Sequence, residues 1–92
     1  MPESKTRNIA GNSLEKAFGS VLQHIRQERG LSQESLGFES GYHRTYISIL
    51  ERGQKSPSLQ TIFNLSKALR IEPAELIQLV ESATMNNRSK RK

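Results

Sequence analysis

At 92 residues with no cysteine, the chain has room for one small domain of marginal stability and lacks the residues for a disulfide framework or a thiolate metal site. No apolar run approaches the roughly 20 residues of a membrane helix and no apolar signal core opens the chain, so the expected location is the cytoplasm, with no membrane partner. The net charge of +5 sits in the ends, because from 14 to 81 eight basic residues face eight acidic ones, and overall basicity therefore says little about a nucleic-acid face on the fold.

Residues 1–12 mix Pro2, Ser4, Lys5, Arg7, Asn8 and Gly11 with little that is apolar, which predicts a flexible arm. A helix can start at Asn12 or Ser13, with Glu15 placed after Asn12 as in a capping box. Leu14, Ala17, Phe18, Val21, Leu22 and Ile25 then repeat at helical spacing and stop at Gly30. Ser32 precedes Gln33 and Glu34 as the cap of a second helix of about two turns, whose buried contacts are expected at Leu36 and Phe38.

Gly41 supplies the positive φ of a tight turn, and Tyr42 can insert between the helices as an apolar wedge. Helix three is predicted over 44–52, with Ile47 and Leu50 facing inward, and Gly53 ends it. Pro57 keeps 54–57 in a loop. Ser58 caps helix four, whose stripe includes Leu59, Ile62, Leu65 and Leu69. Pro73 suits the first position of helix five, predicted over 73–82, and 83–92 reads as a flexible basic tail. Five helices and no strand make an all-α fold. Two short amphipathic segments joined by a glycine turn have the layout of a helix-turn-helix, for which DNA is the leading partner.

The chain resembles the Xre and Cro-like helix-turn-helix family, which includes phage repressors and the controller proteins of restriction-modification systems. The resemblance rests on Gly19, Arg26, Gly30, Leu31, Ser32, Gln33, Leu36, Gly41, Thr45, Tyr46, Ile47, Ser48, Glu51, Arg52, Gly53 and Pro57. It implies a five-helix lambda-repressor-like DNA-binding domain over 13–82 with the helix-turn-helix at helices two and three. Its expected function is that of a transcriptional regulator binding a double-stranded DNA operator, without cofactor or chemistry.

With Ile47 and Leu50 assigned to the core, the exposed face of helix three holds Arg44, Thr45, Ser48 and Ile49, the candidate base readers. The guanidinium fork of Arg44 suits guanine O6 and N7, and its alternative is a phosphate contact. Thr45 and Ile49 can touch a thymine methyl, although partial burial of Ile49 is an equal reading.

By the resemblance, Ser32 and Gln33 grip a phosphate at the start of helix two, where open backbone amides favour anions. Tyr46, Arg52, Gln54, Lys55 and Ser56 meet the backbone across the groove, Lys55 ahead of Arg52, since Arg52 can instead compensate its own helix end. Arg26 and Glu51 correspond to the family's partly buried ion pair. The chain departs from the family at His43, where serine or threonine usually caps helix three, and at Gly37, where alanine is usual. Histidine is a weaker cap, so helix three frays or His43 turns to a phosphate. Glycine inside a helix costs up to about 1 kcal/mol against alanine unless close packing requires it.

Leu76, Ile77, Leu79 and Val80 span an arc wider than one packed face needs, so part of it is expected at the interface of a homodimer. Phe63 adds to that surface or, by its helical spacing with Leu59 and Ser66, takes an ordinary core role, an equal reading. A two-fold dimer would set two reading helices about 34 Å apart on a near-palindromic site. The alternative is an antitoxin-like or adaptor role, in which the same face holds a protein partner. Catalysis has no nucleophile, base and stabilising group to assemble, and His24 with Glu28 is too small a set for a metal.

Overall fold

The computed structural model describes residues 3–90, and side-chain environments over 14–85. Among the described residues it contains five helices and no strand: α1 Glu3–Glu28, α2 Gln33–Ser40, α3 Arg44–Glu51, α4 Leu59–Leu69 and α5 Pro73–Lys90. α1 and α5 lie side by side, α2 and α3 form the central pair, and α4 closes over α2 and α5.

Both outer helices run further than the sequence predicts. α1 begins at Glu3, so Asn12 and Glu15 lie inside the helix and do not open it. Once the packed turns downstream are formed, each further residue adds a hydrogen bond at little cost, and between Pro2 and Asn12 only Gly11 opposes the extension. α5 continues past Ser82 to Lys90 for the same reason, through a stretch with neither glycine nor proline. Met1, Pro2, Arg91 and Lys92 of the predicted arm and tail lie outside the described residues.

The core draws on every helix: Ala17, Phe18, Leu22 and Ile25 of α1, Leu36 of α2, Ile47 and Leu50 of α3, Leu65 and Leu69 of α4, and Leu76 and Val80 of α5. Three expected core members lie outside it, Phe38 at 87% exposed, Leu59 at 71% and Leu14 at 50%. At about 100° per residue Phe38 points some 200° away from Leu36, so α2 buries Gly37 where the larger side chain was expected.

Gly37 is required by packing. A Cβ there would lie 2.5 Å from the Tyr42 carbonyl oxygen, because the chain turns back over α2 immediately after Gly41. Gly41 itself has φ 89° and ends α2, and the amides of Gly41 and Tyr42 both donate to the Gly37 carbonyl at 2.8 and 2.7 Å.

The Tyr42 wedge is anchored at its tip. Its hydroxyl donates to Thr61 Oγ1 at 3.1 Å and accepts from Asn64 Nδ2 at 3.0 Å, while its ring lies 5.1 Å from that of Tyr46. Thr61 in turn donates its amide to the capping Ser58 hydroxyl. The turn between α2 and α3 is thus bonded to α4. At the far end of α4, Arg70 takes the left-handed conformation with φ 60°, the only described non-glycine residue to do so.

Candidate nucleic-acid interface

α3 is short enough that one face is all it can offer. Ile47 and Leu50 are fully buried, which leaves Arg44 and Thr45 exposed at its first turn and Ser48 and Ile49 half-buried along the same face. The four predicted base readers therefore lie together, Arg44 and Thr45 outermost.

His43 does cap α3, through its ring. Nδ1 accepts the Thr45 amide hydrogen at 3.0 Å, which requires the neutral tautomer with its proton on Nε2. The cap answers the expected fraying and leaves the other ring nitrogen outside the cap, so a phosphate contact is still open to His43.

The start of α2 is built as a reciprocal cap. Ser32 Oγ accepts the Ser35 amide at 3.0 Å, and Ser35 Oγ accepts the Ser32 amide at 2.9 Å. Serine performs the returning half that glutamate or glutamine more often supplies. The amides of Gln33 and Glu34 remain at the open end of the helix, where an anion is favoured. The Gln33 side chain, expected at the phosphate, is partly committed elsewhere: Nε2 donates to Glu51 Oε1 at 2.9 Å.

That bond joins a network beneath the interface. Arg26 Nε and Nη2 donate to the two oxygens of Glu51 at 2.5 and 3.0 Å, and Nη1 donates to the Leu31 carbonyl at 2.8 Å. The side chains of Arg26 and Glu51 are only 10% and 2% exposed. One buried carboxylate thereby holds together α1, the start of α2 and the end of α3, and the predicted ion pair is present.

Beyond α3 the polar residues divide. Arg52 Nη1 donates to Ser48 Oγ at 2.6 Å and Nη2 to Gln54 Oε1 at 3.4 Å, so Arg52 lies along its own helix end. Ser56 Oγ donates to Glu15 Oε2 at 2.9 Å, which places a carboxylate beside a residue expected to meet phosphate. Lys55 is exposed in the same loop, and among the described residues no ion pair engages it. Tyr46 is half-buried against Tyr42.

Two residues of the expected pairing face belong to the interior. Leu76 is fully buried and Val80 is 5% exposed, because α5 needs both to cover the core, with Ala83 packed alongside. Phe63, Ile77 and Leu79 remain outward at 51%, 46% and 41% exposed. Phe38, expected in the core, instead lines a shallow groove with Glu34, Tyr42, His43 and Arg44 beside the start of α3. Among the described residues no cluster of three metal-ligating side chains occurs, and no helix is long and apolar enough to cross a membrane.

Residues 22–76 match the family described as Helix-turn-helix. The control protein C.BamHI of Bacillus amyloliquefaciens is 43% identical over 67 residues, covering 72% of this chain and 83% of that one. The crystal structure of the restriction-modification controller protein C.AhdI of Aeromonas hydrophila superposes with a TM-score of 0.65 at 49% identity, over 66% of this chain and 92% of the other. The controller protein C.Esp1396I, solved as a tetramer in complex with its natural 35 base-pair operator, matches with a TM-score of 0.72 at 26% identity, over 78% and 95% of the two chains.

Proposed function

The chain belongs to the helix-turn-helix family, and from that membership we propose that it is a transcriptional regulator that reads an operator in double-stranded DNA as a homodimer. The observation that carries this reading is the face of α3. With Ile47 and Leu50 sealed in the core, Arg44 and Thr45 stand out at its N-terminal turn, the part of a recognition helix that meets base edges in the major groove. The open amides of α2 and the His43 Nε2–H supply phosphate donors on one side, and Lys55 supplies charge on the other. The regulators and controller proteins among its relatives support this over an adaptor role.

Within this arrangement Arg44 selects and Lys55 holds. Arg44→Ala is expected to lose about 1–3 kcal/mol of discrimination at one base pair, flattening preference among related sites. Lys55→Ala is expected to weaken all sites alike and lower the salt slope by about one. Binding titrations on a set of single-base operator variants at several salt concentrations separate the two, and equal losses at every site for Arg44→Ala would remove its base-reading role.

Pairing falls to Phe63, Ile77 and Leu79, the apolar side chains that the core leaves outward. Leu79→Glu is expected to yield a folded monomer with much weaker operator binding, because one reading helix offers too few contacts to select a site. Light scattering gives the mass directly. An unchanged dimer would place the interface on another face.

A further inference from the structure

Arg70 closes α4 in the left-handed conformation at φ 60°. Glycine or asparagine adopts that geometry with little strain, and arginine does not. A strained cap that keeps a long cationic side chain is explained if the side chain has work that glycine could not do. Among the described residues no ion pair or side-chain hydrogen bond engages Arg70, Lys67, Glu72 or Glu75, and all four are exposed.

These charges are sorted by sign around a shared groove. Lys67 and Arg70 lie at the end of α4, Glu72 and Glu75 at the start of α5, and the groove of about 470 Å³ between them includes Phe63 and Ile71. Compensation of helix ends accounts for Lys67 and Glu75, which occupy the last turn of α4 and the first of α5. It gives no reason for an arginine at the strained position.

A two-fold axis brings a patch onto its own copy. A patch of one sign repels itself, whereas a patch divided into positive and negative halves can meet its copy with opposite charges facing twice over. We propose that this patch is the register key of the homodimer: Lys67 and Arg70 of one protomer face Glu72 and Glu75 of a second copy, about a centre formed by the two Phe63 rings. The proposal rests on the dimer reading above and adds to it what selects the partner. Exposed pairs of this kind fix alignment and exclude like-charged registers more than they add affinity. The occupant is therefore a second copy of this chain and not an unrelated apolar partner.

The test uses two reversed proteins, Lys67→Glu with Arg70→Glu, and Glu72→Lys with Glu75→Lys. Each alone is expected to dimerise at least about tenfold more weakly than the wild type at low salt, since like charges then face each other across the axis. An equimolar mixture is expected to recover a heterodimer of full dimer mass by native mass spectrometry. Arg70→Gly supplies a second measurement that does not depend on the reversed proteins folding. It is expected to raise the monomer's denaturation midpoint, by relieving the left-handed arginine, and to weaken pairing at the same time. A dimeric wild type whose variants pair unaltered, with no preference for the mixture, overturns the key alone. A wild type that is monomeric throughout the same concentration range overturns the dimer reading and the key with it.

Discussion

Glu51→Ala is expected to cost the fold about 3–5 kcal/mol, because it strands a buried guanidinium. Arg26 keeps only its bond to the Leu31 carbonyl, and the Gln33 amide loses its acceptor in the same step. A domain of this size has about 5–15 kcal/mol of stability in all, so the variant loses a large share of it. Urea denaturation followed by circular dichroism measures the loss. The doubly apolar variant Arg26→Met with Glu51→Leu is expected to recover most of it, since what destabilises is the unpaired charge and not the absence of a pair. A loss for Glu51→Ala below about 1 kcal/mol, as for an exposed ion pair, would contradict the burial described.

Gly19→Ala is the second severe change. A Cβ at this position would stand 2.5 Å from the Glu51 carbonyl oxygen and closer still to that of Leu50. These are backbone atoms at the end of α3, with no flexible tip to move aside, so α1 and α3 must separate. Helix propensity favours alanine by about 1 kcal/mol, and overpacking of this kind opposes it by about 1–3 kcal/mol or more. The expected result is net destabilisation, with operator binding reduced further than stability alone predicts, because the reading helix itself is displaced. Thermal denaturation and DNA titration of the same preparation check both parts. A stabilised variant with undiminished binding would mean that the two helices are not in contact at this point.

What the sequence made legible follows from periodicity and from what periodicity omits. The inward positions of α1, α3 and α4 were readable because Leu22, Ile47, Leu50 and Leu65 recur at helical spacing, and the Arg26 and Glu51 pair followed from the resemblance. Phe38 escapes the core because its angle from Leu36 outweighs its apolar character. Leu76 and Val80 are not separable in sequence from a pairing face, because an apolar arc does not reveal how much of it the chain's own core consumes. The side chains of Gln33 and Ser56 bond partners on elements brought together only by the tertiary fold, whereas the ring of His43 caps its own helix two residues on. Gly37 was open in either direction until the Tyr42 carbonyl appeared above it.

The bond chain from Tyr42 to Thr61 and Asn64 has a bearing on length measurement. If the homodimer pairs through Phe63 of α4 as proposed, this phenol ties the pairing helix to the turn that leads into α3 and would hold the dimer axis and each reading helix at a fixed offset. The molecule would then act as a caliper, its half-site spacing set in part by a hydroxyl far from the reading face.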